Sequence, residues 1–309
     1  QALATGEQLT DIYTYTISDG KGGSMSNSLS ITIIGTNDAP SITIGTGNSN
    51  TASLSETNTT LTTSGTLTVT DVDTTDIVNA SRTLIVSGTS NRTDPAAPSD
   101  AELLSMLTLS PNPILSATQQ SNTLTWTFNS NITSSKDTAF NYLRKGETLI
   151  LTYTITATDD DSTPLSGTNT VTITITGTND TPLVSATDTS SGDVAALTET
   201  DTTLSSSGSL TVTDLDTSDT VTAAVTSVAL SGSFTSSGST LPSTLSANSN
   251  QALLNMLVLS NPAANTAMAA DSSAGSSFNW TFTSGAAGDS AFDFLREGET
   301  LTLTYTLTL

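Results

Sequence analysis

Neither cysteine nor histidine occurs anywhere in the 309 residues. Their absence removes disulfides, Ser-His-Asp and Cys-His catalysis, His- or Cys-ligated zinc, haem ligation and iron–sulfur clusters together. Basic residues are almost as scarce: 7 Lys and Arg stand against 29 Asp and Glu, a formal net charge of −22. A nucleic-acid partner is excluded on that ground, because phosphate binding needs a basic face. Charged residues make up only 12% of the chain, and Ser, Thr, Asn and Gly fill most of what the hydrophobics leave. Abundant Thr at low charge density argues against disorder, which is richer in charge and poorer in β-branched residues. No apolar run reaches the roughly 18 residues of a membrane span, and no basic-then-apolar leader opens the sequence. A length of this size predicts about two domains.

What is present is repetition. Gly146-Glu-Thr-Leu-Ile-Leu-Thr-Tyr153-Thr-Ile155 returns as Gly298-Glu-Thr-Leu-Thr-Leu-Thr-Tyr305-Thr-Leu307, and more loosely as Gly6-Glu-Gln-Leu-Thr-Asp-Ile-Tyr13-Thr-Tyr15. Gly35-Thr-Asn-Asp38 recurs at Gly177-Thr-Asn-Asp180, Leu67-Thr-Val-Thr-Asp71-Val-Asp73 at Leu210-Thr-Val-Thr-Asp214-Leu-Asp216, and Phe140-Asn-Tyr-Leu-Arg144 at Phe292-Asp-Phe-Leu-Arg296. The interval between copies drifts along the chain, which places loop-length differences inside a unit of domain size. The expected division is residues 1–38 as the last strands of one repeat, 39–180 as a complete repeat, and 181–309 as a second repeat short of its last strand. A window cut from a longer array accounts for this register; a subunit whose last strand comes from a neighbour is the alternative.

Local patterning predicts strands. Thr66–Thr70, Leu124–Phe128, Leu149–Thr156, Val171–Thr176, Leu210–Thr213 and Leu301–Leu309 alternate an apolar residue with Thr, the period of a strand buried on one face and wet on the other. Thr suits the wet face because it is both β-branched and hydroxylated. Regular Gly/Asn/Asp/Ser punctuation favours antiparallel sandwiches. Ser99–Leu107 and Ala247–Leu257 break the pattern with Leu-Leu-x-Met-Leu, predicting one short helix per repeat. The aromatics fall at equivalent positions (Trp126 and Trp280, Phe128 and Phe282, Tyr153 and Tyr305), and Trp126 and Phe128 share a strand face with Leu124. That predicts core packing in preference to an exposed sugar platform.

The acids cluster. They gather at Asp38, Glu56, Asp71-Val-Asp73, Asp76 and Asp159-Asp-Asp161, and again at Asp180, Glu199, Asp201, Asp214-Leu-Asp216 and Asp219. Asp-x-Asp at a strand end turns two carboxylates to one side, and few cations are available to neutralise them. Hard oxygen donors without His or Cys select Ca2+. Asp19, Asp100, Asp137 and Asp289 read instead as turn and cap residues.

Several stretches resemble a known family. Asp159-Asp-Asp-Ser-Thr-Pro-Leu-Ser-Gly-Thr-Asn-Thr-Val-Thr-Ile-Thr-Ile-Thr-Gly-Thr-Asn-Asp180-Thr-Pro182 is similar to the end of a cadherin-type repeat. Phe140-Asn-Tyr-Leu-Arg-Lys-Gly-Glu-Thr-Leu149, the Tyr15-Thr-Ile-Ser-Asp-Gly-Lys-Gly-Gly23 stretch and the Asn37-Asp-Ala-Pro40 linker together resemble VCBS repeats. These are cadherin-like modules found in tandem in large bacterial surface and secreted adhesins, many exported by type I secretion. The resemblance implies tandem cadherin/Ig-like Greek-key β-sandwiches with calcium at the junctions. It places Asn37, Asp38 and the Ala39 carbonyl with Glu56, Asp71, Asp73 and Asp159 at the first junction. The second takes Asn179, Asp180, the Thr181 carbonyl, Glu199, Asp214 and Asp216. Gly35 and Gly177 stand where animal cadherins carry another Asp, and their Asp-Arg-Glu motif is not recognisable, so one or two ions per junction are implied.

The expected role follows: a calcium-stiffened extender segment of an extracellular or cell-surface bacterial adhesin or fibre, with neighbouring repeats as its partners and no enzymatic activity. A two-carboxylate glycosidase site should not be duplicated along the chain, as these acids are. Two other readings stay open, a filament of identical chains joined by head-to-tail strand exchange and a carbohydrate- or ice-binding β-sandwich.

Overall fold

The structure is a computed structural model describing residues 3–131, 140–186, 193–216, 219–233, 250–260, 267–269, 276–284 and 292–309. Asp137 and Asp289, and the start of the second predicted helix, lie outside them. The chain is all-β, as its alternation predicts, and divides into two compact units, Gln1–Thr178 and Asn179–Leu309. Among the described residues no helix is long and apolar enough to cross a membrane.

The first unit opens with a hairpin, β1 (Gln8–Ser18) and β2 (Ser24–Ile34), whose every residue is exposed. Asp19 closes it by accepting the Lys21 and Gly23 N–H groups, a turn role as expected. A two-sheet sandwich follows. One sheet has the order β4 (Thr51–Ser55), β10 (Ser166–Thr176), β9 (Thr148–Thr158), β6 (Asn79–Gly88). The other runs β3 (Ser41–Thr43), β5 (Thr62–Thr70), β8 (Ser121–Asn129), β7 (Leu107–Ser110). All pairings are antiparallel except β4 with β10. Alternation is realised as drawn: Leu149, Leu151, Tyr153, Ile155 and Ala157 of β9 are fully buried, as are Val171, Ile173 and Ile175 of β10, while the intervening residues face outward.

Trp126 and Phe128 are fully buried in the core with Leu124, so the sugar-platform reading does not apply to them. The Trp126 indole N–H donates to the Ser49 carbonyl at 2.7 Å. Gly65 lies opposite Trp126 across β5 and β8, where any Cβ would run into the indole ring. The helix α1 (Asp100–Ser105) is capped by Ser99, with Glu102 completing a capping box. The Tyr153 hydroxyl donates to the Leu103 carbonyl at 2.7 Å, tying the helix to β9.

The second unit repeats these devices. Its larger sheet has the order β11 (Leu183–Ala186), β12 (Ser205–Thr213), β17 (Ser276–Thr283), β15 (Leu257–Ser260). Two pairs accompany it, β13 (Thr220–Thr222) with β16 (Ala267–Ala269) and β14 (Ala224–Gly232) with β18 (Leu301–Thr308). The helix α2 (Asn250–Leu254) receives the Tyr305 hydroxyl on its Leu253 carbonyl at 2.8 Å. Thus the recurring tyrosine of the Gly-Glu-Thr-Leu strands is a helix anchor. The motif before it is a turn in both units, with Glu147 N–H donating to the Arg144 carbonyl and Glu299 N–H to the Arg296 carbonyl, each at 2.9 Å.

Candidate metal centre

Three buried aspartates converge at one end of the first sandwich. Asp71 and Asp76 flank the turn that leaves β5, and Asp159 follows the last residue of β9. One oxygen from each lies within 4.8 Å of the others. The sandwich brings them together: β6 pairs Asn79 with Thr158, so the segment entering β6 and the one leaving β9 share an end. The turn is held locally by Asp73 N–H on Asp71 Oδ1 at 3.1 Å and Asp76 N–H on the Asp73 carbonyl at 3.2 Å. Ile77 N–H donates to Asp160 at 2.7 Å and fastens the two segments across the site.

Asp159 is the most engaged member. It accepts the Leu165 and Asp161 N–H groups and the Asn37 side-chain amide, the last at 3.2 Å. Asp73 accepts the Asp38 N–H on Oδ2 at 2.7 Å. Asn37 Oδ1, Asp71 Oδ2, Asp73 Oδ1 and Asp76 Oδ2 are left buried with no hydrogen-bond partner. Buried polar atoms are normally satisfied, and leaving one unpaired costs about 1–3 kcal/mol, more for a charge. Among the described residues no Lys or Arg pairs with these carboxylates; the ion pairs described are Arg92–Asp100 and Arg144–Glu147. The donor set is therefore oxygen throughout, anionic and unneutralised, which fits a hard divalent cation.

Burial pushes the Asp71 carboxyl up to about 6, against the help of the Asp73 N–H and with added repulsion from Asp73, Asp76 and Asp159. Burial raises Asp76 as well. In the second unit burial likewise takes Asp216 to about 6 and raises Asp214. A carboxyl raised in the folded state binds more protons folded than unfolded between its two pKa values. Its stabilising contribution is complete below the unfolded value and is lost as pH climbs through the folded one. In chelator, the melting temperature is therefore expected to fall between about pH 4 and about pH 6. A melting temperature that rises over that interval would contradict this.

The second unit repeats part of the cluster. Asp180 N–H donates to Asp216 Oδ2 at 2.8 Å and Asp216 N–H to Asp214 Oδ1 at 3.1 Å, and Asp180 Oδ2 and Asp216 Oδ1 are buried without partners.

The structure does not bring the whole expected set together. Glu56 is buried, but it follows β4 beside Thr176, its N–H on the Thr176 carbonyl and its carboxylate accepting the Thr178 hydroxyl at 2.7 Å. β5 runs from near Glu56 to Asp71, and nine extended residues span roughly 30 Å. Glu56 thus lies at the opposite end of the sandwich from Asp71, Asp73 and Asp159. Glu199 is displaced in the same way. It groups with Asp201 and Asp293, while β12 separates it from Asp214 and Asp216. Asp38 offers its N–H to the cluster, and the linker residues Ala39, Asn179 and Thr181 are exposed. Asp76 stands among the clustered acids of the sequence, but the implied junction set leaves it out, and strand alternation says nothing about a residue in the turn beyond the strand. Its only signal was its position, three residues after Asp73 in an acidic run.

The fold and these clusters define a class: a tandem all-β chain whose units each bury carboxylates at one end. No protein-family profile matches it, and no curated protein matches its sequence. Among solved structures it is similar to human CDH23 EC21-23, at 12% identity and a TM-score of 0.32 over 96% of this chain and 73% of that one. It is also similar to the ASH/PapD-like domain of human CEP192, at 10% identity and a TM-score of 0.28 over 46% of this chain and 86% of that one. The cadherin-like domains 1 to 4 of zebrafish RET align at 8% identity and a TM-score of 0.20, over 89% of this chain and 50% of that one.

Proposed function

We propose that the chain is a non-enzymatic, calcium-dependent spacer of VCBS type, part of an extracellular adhesin or fibre, possessing no chemistry of its own. The observation that carries this reading is the convergence of Asp71, Asp76 and Asp159 with orphaned buried oxygens and, among the described residues, no cationic side chain to meet them. Asp71, Asp73, Asp76, Asp159 and Asn37 would hold the ion, and Asp180, Asp214 and Asp216 would hold another in the second unit. A bound Ca2+ supplies charge compensation and nothing else. The residues supply rigidity: Asn37 comes from the linker segment, Asp71 to Asp76 from the β5 turn and Asp159 from the end of β9. An ion shared by them locks three separate backbone segments. Bacterial export fits a chain with no cysteine to mispair and a charge that stays self-repelling where calcium is scarce.

Isothermal titration of chelated protein with calcium tests this. Extracellular calcium modules bind at about 10⁻⁴–10⁻³ M, and saturable heat in that range is expected, with magnesium binding markedly weaker. Absence of saturable calcium binding would remove the spacer mechanism and leave the acids as buried turn residues.

A further inference from the structure

The sequence contains six Asn-x-Ser/Thr triplets, beginning at Asn58, Asn79, Asn91, Asn131, Asn179 and Asn279. This triplet is the acceptor pattern for N-linked sugar, and its use requires a surface loop in an exported chain. In a chain so rich in Asn, Ser and Thr the triplet alone says little, so geometry has to separate one copy from another. Asn131 is followed by residues outside the described ones. Asn79 opens β6 against Thr158, and Asn279 lies inside β17 between Ser209 and Ser260, where ladders hold the backbone extended. Asn179 donates its Nδ2–H to the Asp180 carbonyl at 2.7 Å. Asn58 is in a loop, but its Oδ1 accepts the side-chain amide of buried Asn141 at 2.7 Å.

Asn91 differs from all of these. It stands exposed in the connection between β6 and α1, and its carbonyl accepts the Asp94 N–H at 3.3 Å to close a tight turn. Asn91 Oδ1 accepts the Thr93 hydroxyl at 2.8 Å and the Thr93 N–H at 3.1 Å, which joins the first and third residues of the triplet. Among the described residues Asn91 Nδ2 has no hydrogen-bond partner. The turn is fixed at its base: Arg92 pairs with Asp100 at 2.8 Å and Asp94 is buried, while Asn91 and Thr93 stay exposed.

We propose that Asn91 is an N-glycosylation site, taking a hexose from a nucleotide-activated donor in the hands of a transferase. An amide nitrogen is a poor nucleophile because its lone pair is delocalised into the carbonyl, so the proton it must lose matters. The Thr93 hydroxyl, donating to Oδ1, draws electron density from the carboxamide and makes the Nδ2–H more acidic. Nδ2 attacks the anomeric carbon and a C–N bond forms. The bond from that carbon to the diphosphate oxygen breaks, the nucleoside diphosphate leaves with the electron pair, and one Nδ2 proton passes to a base of the transferase. Thr93 is a positioning residue in this step. The attached sugar is bulky and solubilising. It would stand just past the end of β6, the outermost strand of its sheet among the described residues, whose Ile85 is 67% exposed. Natural edge strands are guarded against pairing with other chains, and a hexose adds a guard there.

Incubation of the folded full chain with UDP-glucose and a soluble transferase that reads Asn-x-Ser/Thr, followed by peptide mapping in a mass spectrometer, tests the proposal. One hexose is expected at Asn91, added at least tenfold faster than at any other triplet. Asn91→Gln and Thr93→Val are expected to abolish that label and Thr93→Ser to retain it, all three with unchanged melting curves because both positions are exposed. Labelling needs no calcium, so its outcome and that of the calcium titration are independent. A folded chain left unmodified at Asn91 would overturn the proposal. So would labelling of Asn58 as fast as Asn91, or a Thr93→Val chain labelled like its parent.

Discussion

In calcium at about a hundred times its dissociation constant, Asp71→Asn is expected to melt below the parent chain, and in chelator to match or exceed it. The opposite signs have one cause. Asp71 Oδ2 is buried and unpartnered, and burial, with repulsion from Asp73, Asp76 and Asp159, pushes this carboxyl up to about 6. Without a cation, neutralising it removes repulsion from Asp73, Asp76 and Asp159, a gain on the order of 1–2 kcal/mol. With a cation, the same change deletes a ligand. An ion present at a hundred times its dissociation constant stabilises by about 2.7 kcal/mol, which for units of this size amounts to about 5–10 °C. The two melting curves should therefore cross as calcium is added. Calorimetry in calcium and in chelator measures both arms. A variant destabilised equally in both conditions would show that Asp71 serves the fold alone.

Trp126→Ala should cost more than Trp280→Ala. Truncating a buried Trp costs about 3–5 kcal/mol, and Trp126 sits in a closed core, with no exposure and a hydrogen bond to Ser49. Trp280 retains 7% exposure, so part of its loss is already present. The chain contains only these two tryptophans, one per unit. Trp280→Phe and Trp126→Phe thus leave a single fluorophore that reports the unfolding of each unit separately. Equal losses from the two Ala variants would mean that the second core is as enclosed as the first.

Much of this architecture was legible in the chain. Thr alternating with Leu, Ile or Val identified β5, β8, β9, β10, β12 and β18 because a strand has a period of two, and a period of two puts every second residue in the core. The Leu-Leu-x-Met-Leu break that opens at Ser99 marked α1. The paired aromatics were assigned to the core through their repeat positions. The grouping of the acids was less legible. Glu56 and Asp71 look like neighbours in sequence, yet a nine-residue strand sets them at opposite ends of a sandwich. Asp76 lies in a turn, where alternation has no authority.

By itself, then, the sequence determined composition-level chemistry and local form: an anionic, oxygen-donor, cysteine-free chain that repeats itself and builds strands. Both are set by residue types and short spacings, which need no knowledge of the rest of the chain. Only the tertiary structure decided which carboxylates share a site, because β6–β9 pairing brings Asp76 beside Asp159 across nearly half the first unit. It alone decided that β10 closes the first core along β9. Those outcomes depend on which strand edges meet, and edge pairing is a long-range choice that local pattern does not encode.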